Sequence, residues 1–301
     1  MKKLSVVFVL LAGILWGIIG IFVRRFQGFG ISSLELALDR ILFAAIIFAI
    51  FILIYNKSLF KIKIKDLWIF FGTGVISLAT FSFCYFKAIE IMDLSVAAIL
   101  LYTAPAFVMI FSIILFKEKV TISKIISLVL TFLGCMFVTG VLSGNVLITL
   151  EGFIFGILSG LCYGLYSIFT RVALNKGYNT FTIVLYTMIF GGIAILLVVR
   201  PVKTFELVKS KPTEIIWVLA FVLFSEILPY FLYTFGLKYL KNTTASIIVS
   251  VEPVVATILG ALAFNEMIQV PFGYIGIVLV IISILLANMS DYFLEKKKGK
   301  I

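Results

Sequence analysis

The sequence predicts an all-α integral membrane protein whose ten transmembrane helices form two inverted five-helix repeats. Three observations predict it. Of the 301 residues, 63% are hydrophobic and only 13% charged, with a mean hydropathy of +1.24, whereas a soluble chain is about half apolar. The apolar residues fall in continuous runs of about 20, the length that crosses a ~30 Å hydrocarbon core. A membrane barrel would instead show shorter segments alternating apolar and polar residues, so the backbone must be hydrogen-bonded within helices. Finally, the chain repeats itself, and the repeating unit holds an odd number of helices.

Taken in order, the apolar runs between charged breaks predict helices at 4–23, 36–55, 67–87, 94–116, 122–141, 152–171, 181–199, 214–236, 243–264 and 271–289. The first follows Lys2 and Lys3 and ends before Arg24. It is longer than the apolar stretch of a signal peptide, and no small-residue cleavage pattern precedes Arg24, so it is expected to stay in the mature chain. Arg40 lies near the start of the second run, and the lysines from Lys57 to Lys65 separate the second from the third. Cys84, Cys135 and Cys162 fall inside runs, where a thiol behaves as a small apolar group, so neither a disulfide nor a metal site is expected.

Most of the 25 lysines and arginines fall at the N-terminus, in the even-numbered loops and in the tail at 291–301. Cytoplasmic loops hold such an excess, so both termini are expected in the cytoplasm of a multi-pass cell-membrane protein; the loop containing Lys203, Lys209 and Lys211 dissents. The net charge of +11 is then largely topological, and nucleic acid is not an expected partner. Histidine is absent, and phosphate loops, nucleophile elbows and dinucleotide fingerprints are missing, so no cofactor and no catalytic residue is expected.

The segment "FVLLAGILWGIIGIFVR" at 8–24 returns as "FGILSGLCYGLYSIFTR" at 155–171, an offset of 147 residues, with Gly13/Gly160, Gly17/Gly164 and Arg24/Arg171 identical and Trp16 matched to Tyr163. At an offset of 148, residues 83–118 match 231–266 through Tyr85/Tyr233, Ala97/Ala245, Pro105/Pro253 and Glu118/Glu266. The repeats are thus expected at 1–145 and 146–290. Five helices per unit oblige the second copy to enter the membrane from the opposite face. Two similar halves of opposite topology can exchange conformations and open a central site to each side in turn, which points to a transporter. A channel needs no such exchange, and no filter glycines or charged rings are visible.

With these residues assembled, the sequence resembles the drug/metabolite transporter superfamily, in its ten-helix branch built from two EamA-type domains. The resemblance spans nearly the whole chain. Its carriers are Trp16-Gly17 with Arg24, Arg40, Ala97-Ala98 leading to Pro105, and Glu118, then Tyr163-Gly164, Arg171, Gly236, Ala245-Ser246, Glu252-Pro253 and Glu266. It implies export or exchange of small metabolites through a central cavity. It departs from symmetry at Arg40, since no arginine matches it in the second half.

Candidate site residues follow from what is costly in lipid. Glu226 and Glu252 lie near the middle of predicted spans, where a charge costs about 3 kcal/mol or more, so each is expected to face a cavity or a partner, as a proton acceptor or a recogniser of an amine. The alternative for each is a neutral carboxyl bonded to backbone freed by Pro229 or Pro253. Those prolines and Pro105 remove backbone hydrogen bonds at mid-depth and are expected to act as hinges. Trp16, Tyr102, Tyr163, Tyr166, Tyr230 and Tyr233 lie within spans rather than in interfacial belts, and are expected either to wall an aromatic or ammonium-bearing substrate or to pack as ordinary core. Arg24 with Glu266, and Arg171 with Glu118, fall at opposite ends of the bundle and are expected to form alternating gate pairs, unless they only anchor helix ends. Together these features predict a secondary transporter, an exporter or exchanger of small metabolites such as amino acids or amines, with proton coupling and uncoupled exchange both open. The alternatives are a multidrug efflux carrier and a lipid-modifying membrane enzyme.

Overall fold

The computed structural model describes residues 2–142, 147–198, 202–264, 268 and 271–297. Ten helical spans run through it: α1 (Lys3–Gln27), α2 (Ser33–Tyr55), α3 (Ile64–Ile91), α4 (Leu94–Phe116), α5 (Ile122–Thr139), α6 (Leu150–Asn175), α7 (Thr180–Leu196), α8 (Pro212–Leu237), α9 (Asn242–Phe264) and α10 (Phe272–Lys297). Among the described residues, nine are long and apolar enough to cross a membrane, and α7 is a shorter apolar helix. Large apolar side chains point outward, Ile54, Ile114, Leu150 and Leu262 among them, as expected where the surrounding solvent is lipid. Ten crossings bring both termini to one side, hereafter the terminal face.

Helix starts follow local chemistry. A capping box of Ser32 and Glu35 begins α2, and the Thr121, Thr149 and Asn179 side chains accept backbone N–H bonds at the starts of α5, α6 and α7. A short helix, Val202–Ser210, precedes α8 where the sequence reading placed only a loop. Its Thr204 hydroxyl donates to Asp39 on α2.

The inverted repeat is visible in the packing. The pairs α5 with α10 and α2 with α7 each join equivalent helices of the two halves, and α1 packs on α8 as α6 packs on α3. Irregularities also recur at matched places. α3 contains a π-helical stretch at Gly72–Ala79 and α8 one at Leu223–Ile227. α4 breaks at Tyr102 and Thr103, and α9 at Ser250 and Val251, so each is two half-helices: Leu94–Leu101 and Ala104–Phe116, then Asn242–Val249 and Glu252–Phe264. Pro105 and Pro253 enter the second half-helix in each case, where a missing N–H costs nothing. Pro229 directly follows the π turns of α8.

The halves differ in how they close the two faces. The second half of α4 packs on the first half of α9 at the terminal face, while the first half of α4 and the second half of α9 lack comparable packing on the other side. This conformation is therefore closed towards the termini.

Candidate functional site

Where α4 and α9 break, they enclose with α1, α6 and α8 a cavity of about 20 Å³, room for one ordered water. Glycines bring the walls together. A Cβ on Gly13 would lie 2.8 Å from the Val249 carbonyl oxygen, and one on its repeat partner Gly160 would lie 2.7 Å from that of Leu100, so α1 meets α9, and α6 meets α4, through backbone.

The wall is aromatic. Trp16 lies edge-on to Tyr163 (5.9 Å between centroids) and Tyr230 (5.2 Å), and is tilted against Tyr233 (5.7 Å); Tyr166 meets Tyr230 at 4.9 Å. Trp16 and Tyr163, equivalent in the repeat, thus touch at the centre of the molecule. The phenols carry polar partners: Tyr166 pairs with the Thr234 hydroxyl at 2.6 Å and Tyr233 with that of Ser167 at 2.7 Å. Tyr102, at the break in α4, completes the wall.

One carboxylate lines this cavity. Glu252 opens the second half-helix of α9, at the positive end of its dipole, and receives a long hydrogen bond from the Tyr163 hydroxyl at 3.4 Å. The same cavity is lined by the aromatic residues and by Ser246, Ser250 and Ser167. Such a box suits a compact cation: a carboxylate for the charge, ring faces for cation–π contact and hydroxyls for N–H donors.

The structure brings Trp16, Tyr102, Tyr163, Tyr166, Tyr230, Tyr233 and Glu252 to this cavity, with Pro105 in its wall, and leaves Glu226 outside it. Glu226 is fully buried in the π turns of α8 and pairs with Arg40 of α2 at 3.1 Å. The contact is poorly aligned, for neither Glu226 oxygen accepts a hydrogen bond. Tyr230 lies one turn beyond Glu226 and lines the cavity. The sequence reading gave Arg40 no place in the site; its mid-span carboxylate partner was the signal for this pair.

Of the expected gate pairs, the one at the terminal face is arranged differently. Glu118 joins Lys124 at 3.1 Å rather than Arg171. Arg171 instead donates to Asn242 Oδ1 at 2.9 Å and to the Leu240 carbonyl, clamping α6 to the start of α9. The physical reason is that Lys124, in the first turn of α5, is fully buried and lies 3.1 Å from Asp291 as well. Asp291 also holds Lys241 at 2.8 Å and the Thr244 hydroxyl. A buried ion network therefore seals the terminal face. On the other side Arg24 lies over the Phe264 ring at 4.2 Å, and Glu266 lies outside the described residues.

Comparison with known proteins follows the same outline. The model of the EamA-like transporter family matches twice, at residues 3–140 and 150–289. An uncharacterized transporter of Archaeoglobus fulgidus is 25% identical over 283 residues, covering 93% of this chain and 94% of its own. An uncharacterized inner membrane transporter, YicL of Salmonella typhimurium, is 23% identical and covers 94% of each chain. A solved crystal structure aligns over 98% of this chain and 100% of its own with a TM-score of 0.77 at 16% identity, a likeness of fold. The twofold family match, the ten-helix inverted repeat and the relatives' names converge: the chain is a multi-pass membrane protein of the EamA-like transporter family.

Proposed function

We propose that the protein is a secondary transporter of the cell membrane, with both termini in the cytoplasm, that exports or exchanges small amine or amino-acid metabolites by alternating access. The observation that carries this is the single carboxylate, Glu252, set in an aromatic cavity at the crossing of two interrupted helices. For export, substrate enters from the terminal face once the ion network there opens, and leaves on the opposite side, where the half-helices of α4 and α9 lack comparable packing on each other. Charge counting supports proton coupling. Arg40, Glu226 and Glu252 together carry one net negative charge at mid-membrane, which either a proton or an ammonium group neutralises, so the two compete. Glu252 binds, and the Arg40–Glu226 pair, linked to the cavity through Tyr230, senses which of them is present.

A thermal-shift screen of the purified protein against amines, amino acids, nucleosides and simple carboxylic acids tests the reading. Amines are expected to raise the midpoint of the wild type and of Glu226→Gln, and to lose their effect in Glu252→Gln. Stabilisation by carboxylic acids or nucleosides with no response to amines would sink the substrate class. Failure to move any stabilising ligand across a vesicle membrane would sink transport by this chain alone.

A further inference from the structure

At the terminal face, the segment linking α2 to α3 and the one linking α6 to α7 enclose a cleft of about 600 Å³, separate from the central cavity. Lys61, Lys63, Lys65 and Lys176 line it, against a single carboxylate, Asp66. That carboxylate is already satisfied, by Lys176 and by the Tyr178 hydroxyl at 2.8 Å. Among the described residues, no acidic group lies within ion-pair distance of Lys61, Lys63 or Lys65. The cleft is also firmly built. The Lys63 amide donates to the Tyr178 hydroxyl at 3.1 Å, the Thr182 hydroxyl to the Leu59 carbonyl at 2.9 Å, and the Tyr186 hydroxyl to the Phe60 carbonyl at 2.7 Å.

Two further observations say what fits. Directly beside the cleft, the first turns of α3 expose Ile64, Leu67, Trp68 and Phe71, an apolar flank leading from the basic mouth into the bilayer, with a tryptophan at headgroup depth. The repeat-related place on the opposite face is neutralised in part: Glu214, the counterpart of Asp66, is bridged by Arg25 at 2.9 Å, and Lys203 is met by Glu35 at 3.2 Å, while Lys211, the counterpart of Lys63, lies over the Phe29 ring at 4.8 Å. Orientation alone requires lysines on this side of the membrane, but not their convergence on one concavity above an apolar track.

We propose that this cleft seats the phosphate of an anionic glycerophospholipid, with its acyl chains along α3, and that the bound lipid holds α3 against α6 and α7 in the conformation closed at the terminal face. Basic pockets between helices at the membrane surface recognise lipid phosphates in this manner.

The full-length protein in detergent is titrated with phosphatidylglycerol, with zwitterionic phosphatidylcholine and with water-soluble glycerol phosphate, following the thermal midpoint and the lipid retained in native mass spectra. Phosphatidylglycerol is expected to stabilise and remain bound, phosphatidylcholine and glycerol phosphate to do neither. The triple change Lys61→Gln, Lys63→Gln, Lys65→Gln is expected to weaken retention by about tenfold or more. Lys117→Gln with Lys119→Gln, on the same face outside the cleft, is expected to leave it unchanged. Should the triple variant fail to fold, Lys61→Gln alone gives the same contrast at smaller amplitude. Equal losses from the two sets of lysines would overturn the site in favour of general surface charge. An equal effect of glycerol phosphate would overturn the lipid in favour of a soluble phosphate ligand.

Discussion

Breaking the Arg40–Glu226 pair from either side should not cost the same. Glu226 is fully buried, and Arg40 is 7% exposed. Their 3.1 Å contact is held by charge without an aligned hydrogen bond. Removing one member of a buried pair typically costs about 3–5 kcal/mol, because it strands the other charge. The poor alignment puts each single change near the low end, about 3 kcal/mol, or roughly a hundredfold in the unfolding equilibrium. Glu226→Gln strands a guanidinium that cannot shed its proton, so the variant's own stability should carry no pH dependence from this pair. Arg40→Met strands a carboxylate that can take up a proton, so its cost should shrink as pH falls. The double change Arg40→Met with Glu226→Leu removes both charges, and should recover at least about 2 kcal/mol of the roughly 6 kcal/mol that additivity gives. Denaturation in mixed micelles at two pH values measures all four corners of this cycle. Additivity to within about 0.5 kcal/mol would refute the pairing.

Two further outcomes follow from packing and from the terminal-face network. Gly17→Ala would set a Cβ 2.8 Å from the Glu252 carbonyl oxygen, so an overpacking loss of about 1–3 kcal/mol is expected in the thermal midpoint. Gly20→Ala, with nothing within 4 Å of the added Cβ, should be neutral or stabilise by about 0.5–1 kcal/mol. Lys124→Met leaves Glu118 without its cation and is expected to cost about 3–5 kcal/mol in micelle denaturation, whereas Lys238→Met at an exposed position should stay within about 0.5 kcal/mol.

Hydropathy made the ten crossings legible because lipid imposes nearly the same demand on every span, and the Gly13/Gly160 and Pro105/Pro253 matches exposed the duplication because equivalent contacts need equivalent residues. The aromatic wall was legible for a related reason: a phenol or indole at mid-span departs from what lipid rewards, and Trp16, Tyr163 and Tyr230 do meet. What stayed hidden was partnership. Nothing local to Arg40 names Glu226, which lies six helices away in sequence. Lys124 follows a loop and so looks like a topological lysine, until the fold closes α10 over it. The π turns of α3 and α8 have no residue signature at all; they show only as matched departures from helical geometry.

The cross-packing of α1 on α8, and of α6 on α3, has a consequence for how such a molecule came into being. Each half supplies the helix that covers the other's open flank, and the bridges Arg25–Glu214 and Lys176–Asp66 tie the halves at the same equivalent points. The halves are clasped hands rather than neighbouring lobes. A five-helix ancestor built on this plan would have had nothing to grip except another copy of itself lying upside down in the same membrane. Fusion into one chain then fixed the two opposed orientations within a single molecule and freed each half to diverge, so that Arg40 and Glu226 could arise on one side of the handshake with no counterpart on the other.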